Sequence, residues 1–515
     1  MRIRSAARIS RRSSPHVASM RTAFYWSVRS CPMKPFAMVA RTWSSWSARR
    51  SGVIDSASTG RAVLRNKSSM RDVWARNLLS VSFLVVVSGC ATYSPAPLTK
   101  EPAFSSSVSA LRSEAPLPQQ PLSVSQVAIL AIENNADLQA ARAQRVLAQA
   151  QVFSAGRLPD PRVNGAFLPL VAGVGTTPAW IAGIGEDITS LITLSARGRS
   201  AKAGAHQVDA QILWQEWQVN GQAKLLAVDI IEGETSLRVL AQAHDLLSEL
   251  DSRLQTARTE GLVTLAQAAP ITASLQTTRT QVDDLARLQL ARRHQLNALL
   301  GLAPDVTLPL TDVPDVPLLD APSIERMLPS IASRRPDLVA LQFGYEAQEQ
   351  KVRTAILAQF PNLVFGVQGG SDNANVRNFG PQISFTLPIF DGNQGAIAIE
   401  RATRTRLHEE YTARLTTAVG QVRAMLSEIA ALIIQRDAIV AELTRSDQAA
   451  VEAAAAFRSG DLDQRSYVDF IMTRLNKQVQ LINIEQSLFE QQIAIAGLTG
   501  AGLPSIESLP EETTP

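Results

Sequence analysis

The chain has 515 residues and a formal net charge of +4, a basic balance that on its face points to nucleic acid or a membrane surface. Residues 1–69 alone carry 14 Lys and Arg against one acid, Asp55; from Cys90 onward 34 basic side chains face 44 acidic ones, a net of −10. The body is therefore acidic, and a nucleic-acid partner is excluded. The two cysteines, Cys31 and Cys90, and the histidines beyond residue 90 (His206, His244, His294 and His408) stand at no disulfide or metal-ligand spacing. No metal, no cofactor and no catalytic constellation is expected, and the chain does not read as an enzyme.

Residues 70–90 read MRDVWARNLLSVSFLVVVSGC. Arg71 and Arg76 form a positive n-region ahead of the apolar stretch 78–87. That stretch is too short for a membrane-spanning helix, which needs roughly 20 residues, but it suits a signal peptide. Val87-Ser88-Gly89-Cys90 matches a bacterial lipobox: small side chains give the peptidase access to the bond before Cys90, whose thiol carries the lipid. Cys90 is thus the expected lipidation site, and Ala91 after it is compatible with sorting to the outer membrane. Met70 makes a good start, so residues 1–69 read as upstream sequence translated from a misplaced start, or else as a genuine basic extension. The proline-rich segment 90–121 reads as an extended tether between lipid and body.

The body reads as two copies of one unit, 122–302 and 322–503, joined by a linker over 303–321 and followed by a tail over 504–515. Asn135-Ala136-Asp137-Leu138 aligns with Arg335-Pro336-Asp337-Leu338, and Pro161 with Pro361, at an offset of 200. Gly261 aligns with Gly460 and Gly301 with Gly500 at an offset of 199. Each copy opens with one helix, expected over 123–157 and 322–358, which a proline-containing exit ends. Two strands follow in each. In the second copy Leu363, Phe365 and Val367 alternate with Val364, Gly366 and Gln368, and Ile383, Phe385 and Leu387 with Ser384 and Thr386. In the first copy the strands are expected over 162–169 and 180–193.

Very long helical stretches, 196–300 and 393–498, close each copy, each interrupted once, near Gly261 and Gly460. Leu247, Leu250 and Leu254 give coiled-coil spacing. No apolar run after Cys90 looks long enough for a membrane helix. Asp137 and Asp337 fall at equivalent points of the repeat, which favours a structural role for both. Trp180 reads either as part of an interfacial aromatic belt or as loop packing; Trp214 and Trp217 read as packing residues.

At this point the residues resemble the TolC family of outer-membrane efflux channels, over about residues 120–503. Leu387-Pro388-Ile389-Phe390-Asp391-Gly392 looks like the family's strand-to-helix turn, with Pro388, Phe390, Asp391 and Gly392 its marked positions. The first copy departs from it at Leu194-Ser195-Ala196-Arg197-Gly198. Phe457-Arg458-Ser459-Gly460 resembles the tip of the second helical hairpin.

The resemblance implies a mainly α fold with a small β part. Long antiparallel helical hairpins would form a trimeric α-barrel, and four strands per protomer would join a shared transmembrane β-barrel. It implies a homotrimer in outer-membrane lipid that passively exports small molecules, drugs or metal ions, from an inner-membrane pump of the RND type through a periplasmic adaptor. The adaptor would dock on the tips at Gly261, Gly460 and Arg458. Asp469, with Arg465, Arg458 or Arg474 as candidate pairing partners, would stand at the periplasmic gate. The alternatives are the outer-membrane component of a type I protein-secretion system and a lipid-anchored periplasmic scaffold that never spans the membrane.

Overall fold

The computed structural model describes residues 93–113 and 121–501. Residues 1–69, the leader 70–89, Cys90 and the tail 504–515 lie outside the described residues. The first copy begins with α1 (Val124–Asn134) and α2 (Ala136–Ala155), where a single helix was expected. Asn135 makes the break: its backbone leaves the helical region (φ −59°, ψ 125°), and its side chain accepts the Leu138 N–H at 3.0 Å, capping α2.

The second copy breaks at the matching place. There α5 (Ala321–Met327), a 3-10 turn and α6 (Ile331–Arg334) precede α7 (Pro336–Leu357). The residue before a proline is pushed out of helical conformation, so the chain bends at Arg335. Arg335 and Asp337 are both buried and paired bidentately at 2.8 and 2.9 Å, and Asp337 also accepts the Leu338 N–H. The Arg335 guanidinium lies 5.2 Å from the Trp214 ring centroid. Asp337 thus does structural work, while Asp137 is exposed in the first turn of α2.

The strands β1 (Arg162–Leu168), β2 (Ala179–Asp187), β3 (Asn362–Ser371) and β4 (Arg377–Thr386) form one antiparallel sheet in that order. The second strand stops at Asp187, not at 193, and the helix begins at once. The β-branched residues Ile188, Thr189, Ile192 and Thr193 favour a strand by composition. Capping decides the matter: the Asp187 carboxylate accepts the Ser190 N–H at 3.0 Å, and the Thr193 hydroxyl donates back to the Thr189 carbonyl at 3.0 Å.

The long helices are α3 (Ile188–Thr259) with α4 (Leu265–Leu299), and α8 (Gln394–Ser459) with α9 (Gln464–Thr499). At 1.5 Å per residue, α3 and α8 run for roughly 100 Å. Leu247 and Leu250 on α3 meet Ile271 on α4 and Val468 on α9; farther from the tips, Val239 and Ala243 meet Leu475 and Ile482. These small clusters in succession, rather than one broad core, hold α3, α4 and α9 side by side.

One helix corrects the expectation about apolar runs. By length and composition alone, α8 carries an 18-residue window apolar enough to cross a membrane, with a mean hydropathy of 1.4. Only 17% of that window is buried, and that part has another use. Ala418, Val422 and Ile429 are buried against Ile324, Ile331 and Ile495, so the stripe belongs to a helix–helix core.

The segment read as a free tether is also partly docked. Residues 93–104 are exposed, but Ser105 donates its N–H to the Gly301 carbonyl at 2.9 Å and accepts the Ala303 N–H at 3.0 Å. Leu111 is buried, and Arg112 exchanges two hydrogen bonds with the Asn134 amide. The linker after Gly301 forms a strap beside it, laying Val306, Leu308, Leu310 and Val316 over a core that includes Leu226, Ile230 and Leu296.

The start of the strap is clamped by Asn297, which is 2% exposed and whose amide donates to the carbonyls of Ala303, Pro304 and Val306. Replacing Asn297 with Ala leaves three carbonyls short of a donor. The expected cost is about 1–3 kcal/mol, read as a lower midpoint in thermal unfolding followed by circular dichroism.

Candidate functional site

The sheet has two unlike faces, and the register assigns them. Val163, Phe167, Trp180, Ile184, Leu363, Phe365, Val367, Phe379, Ile383 and Phe385 fall on one. The other carries Arg162, Asn164, Gly183, Gly185, Asn362, Gly366, Gln368, Gly370, Asn378, Gln382, Ser384 and Thr386, with Ala166, Leu168, Ile181 and Val364 among them, while the first also holds Glu186, Ser371 and Arg377. In water the apolar face would be an error; against lipid, apolar-out and polar-in is what a membrane barrel strand requires.

Three of the strands are 9 or 10 residues long, within the range that crosses a bilayer when tilted. Phe167 pairs with Trp180 at the loop end of the apolar face, and Phe365 and Phe385 lie toward the helix end. Trp180 lies on β2, opposite Phe167 on the apolar face, rather than in the loop. Glycine is required on the polar face: a Cβ at Gly366 would sit 2.3 Å from the Ile184 carbonyl oxygen, and one at Gly370 2.6 Å from that of Trp180.

Each hairpin feeds its helices differently. After β4 the turn at Pro388, Phe390, Asp391 and Gly392 lies where the motif puts it, with Gly392 at φ 53° and Asn393 at φ 58°. The Gly392 N–H reaches the Pro388 carbonyl, and the Asn393 amide donates to the Ala355 carbonyl at 2.8 Å, tying the start of α8 to α7. After β2 there is no turn at all, because Asp187 caps α3 directly. The departure of the first copy from the motif thus removes a turn and lengthens a helix.

At the far end, both hairpin tips turn on a glycine. Gly261 has φ 79° and Gly460 φ 86°; a Cβ on either would meet nothing within 4 Å, so the left-handed backbone, not space, calls for glycine. The tips differ in finish. Leu262 and Leu265 are largely exposed on the first, whereas on the second Phe457 stacks on Tyr467 with ring centroids 5.0 Å apart. Arg458 donates to the Ala454 carbonyl along its own helix.

Asp469 is exposed on α9, and among the described residues its carboxylate has no ion pair. Arg465 is exposed nearby. Arg474 faces Asp447 at 4.0 Å rather than Asp469, so none of the three arginines considered pairs with Asp469 within the protomer.

Sequence reading missed a carboxylate seam between α3, α4 and α9. Asp229 faces Arg292 at 3.5 Å and accepts the Gln486 amide at 2.8 Å, and Gln486 also reaches Glu490 at 2.8 Å. One turn along α3, Glu232 is 8% exposed; burial, with Glu485 opposite, pushes its carboxyl up to about 7. Burial also raises Glu485, against the pull of Arg436. The local signal is Gly233 in mid-helix, where a Cβ would strike the Gln289 amide that donates to the Asp229 carbonyl. That residue marks close helix approach, but nothing in the sequence says which carboxylates meet there.

Residues 327–501 match the sequence model of the outer membrane efflux protein family. The match takes in α7, the β3–β4 hairpin, the Pro388–Gly392 turn and the second helical hairpin, the copy whose motifs were most legible. The fold of the chain is similar to that of the Campylobacter jejuni CmeC outer membrane channel, with a TM-score of 0.62 and 17% identity over 81% of this chain and 96% of that one. It is similar to the Vibrio cholerae outer membrane protein VceC, with a TM-score of 0.61 and 15% identity over 75% of this chain and 97% of that one. The Neisseria gonorrhoeae MtrE outer membrane channel in its open state gives a TM-score of 0.56 and 15% identity over 81% and 99%. At these identities the likeness is one of fold. No curated protein matches the sequence.

The seam makes the protein's stability depend on pH. The Glu232 carboxyl lies near 7 when folded, against an ordinary 4.5, so the folded state holds its proton more tightly. Below 4.5 the group is neutral in both states; above 7 the fold carries a buried charge, and stability falls across the interval. Glu232→Gln is expected to leave the unfolding midpoint unchanged at pH 4 and to raise it at pH 8, by on the order of 3 kcal/mol. Equal midpoints at pH 8 would show that the seam is hydrated.

Proposed function

We propose that the protein is the outer-membrane channel of a tripartite efflux system. It passively conducts small molecules, drugs or metal ions, that an inner-membrane pump of the RND type and a periplasmic adaptor deliver. The observation that carries this reading is the sheet: four strands with one apolar face, open at both edges, continuous with helices roughly 100 Å long. Four strands do not close a barrel, so the reading requires copies to combine, as a homotrimer of twelve strands. The polar face then lines the pore and the apolar face meets lipid.

The hairpin tips around Gly261, Gly460 and Arg458 point away from the sheet and offer the adaptor its docking surface. Lipid on Cys90 tethers each protomer to the same membrane. Asp469 of three copies forms a ring of charge at the periplasmic entrance, with Arg465 beside it. Such a ring attracts cations, and closing it requires hydration or counter-charge.

The purified protein should migrate as a heat-modifiable trimer and give stepwise single-channel currents in planar bilayers; a monomer without conductance would contradict the channel. Asp469→Ala should weaken block by a trivalent cation by about tenfold. Unchanged conductance and block would remove Asp469 from the gate. Cys90→Ser should abolish palmitate labelling in growing cells, and retained label would place the lipid elsewhere.

A further inference from the structure

Where the strap crosses the helices there is a cavity of about 310 Å³. Its walls come from α1, α3, α9 and the strap itself, so it touches both copies of the repeat. Most of the lining is apolar: the Trp217 ring, Val316, Pro317, Leu319, Ile493 and Ala496. Room is made by Gly221 on α3, where a Cβ would meet nothing within 4 Å.

The polar groups in the wall are nearly all engaged. The Trp217 indole N–H donates to the Gly497 carbonyl at 3.0 Å, and the Gln492 side-chain oxygen accepts the Leu319 N–H at 2.9 Å. The Asp315 carboxylate accepts the Ser125 N–H at 3.3 Å and is held by the Ser123 and Ser125 hydroxyls. Lys224 is the exception. Its ammonium feels Asp315 but enters no hydrogen bond or ion pair with another described residue, and burial lowers its pKa. Asp315 attracts this half-buried ammonium through space but makes no direct pair with it, so its donors stand unbonded beside an apolar cavity.

The geometry points to a binding site for a small amphipathic monoanion, an aryl or short-chain carboxylate, whose charge meets Lys224 and whose body lies against Trp217, Val316 and Ile493. The volume suits about ten heavy atoms. Such a ligand bridges the strap, α3 and α9, so it stabilises the folded state by mass action. This site does not depend on the channel reading, since it lies in the wall of the helical body and uses no pore residue.

The test is a ¹⁹F NMR titration of the full-length protein in lipid nanodiscs with 4-fluorophenylacetate, against 4-fluorophenethylamine as the cation of equal body. The acid should bind saturably and the amine should not. Lys224→Met should weaken the acid by about tenfold or more, the loss of one charge-assisted contact. Gly221→Leu, which fills open space in a helix, should fold normally and abolish binding. The acid should raise the unfolding midpoint of the wild type, raise that of Lys224→Met less at the same concentration, and leave that of Gly221→Leu unchanged.

Equal binding of acid and amine, or binding that survives Gly221→Leu, would overturn the site by showing partition into lipid or elsewhere. A chain ended after Ala501 that binds where the full chain does not would overturn it too, by giving the cavity to the chain's own C-terminal residues.

Discussion

Along the outer edges of β1 and β4 the backbone N–H and C=O groups have no strand partner among the described residues. In water such edges are solvated; in hydrocarbon each unsatisfied group costs several kcal/mol. A sheet with this apolar face and these open edges is therefore incomplete as a single protomer in lipid. In the proposed channel, joining β1 of one copy to β4 of the next satisfies the edges and sets the pore at the same time. The glycines at 366 and 370 fit this scheme, because they let neighbouring strand backbone crowd the polar, concave side.

The helices inherit that arrangement. Because β2 passes straight into α3 through the Asp187 cap, the orientation of the sheet is transmitted rigidly into a helix of 72 residues. The second copy makes the same passage through a left-handed turn at Gly392 and Asn393. The two hairpins of one protomer thus resemble one another in course but not in stiffness at the membrane end. Farther down, short apolar clusters alternate with polar contacts such as the Asp229–Arg292 pair. A seam built this way can shift without opening a large dry core.

Much of this was legible before any coordinates. Period-two alternation found β3 and β4, and the glycine spacing found both tips, because these signals rest on backbone geometry that few residues satisfy. The strand end at 187 was misread because the first helical turns are rich in β-branched Ile and Thr, which favour strands, and a cap is one hydrogen bond that composition does not register. The breaks at Asn135 and Arg335 carried their signals, a capping residue and a following proline, but the continuous apolar pattern outweighed them. Glu232, Asp229 and Lys224 were invisible for a different reason: their character comes from the helices they meet, across distances in sequence such as the 257 residues between Asp229 and Gln486.

Edge-to-edge closure is the claim on which the rest stands, and the chain is well suited to testing it, since it has no cysteine beyond Cys90. Cysteines placed together at Asn164 on β1 and, in turn, at Gly380, Gln382 or Ser384 on β4 put thiols on the same face of opposite edges. Oxidation of the assembled protein in membranes should give, for at least one of the three pairs, a ladder that ends at a covalent trimer on non-reducing gels. Monomer throughout, from protein that is folded and membrane-embedded, would contradict a shared barrel.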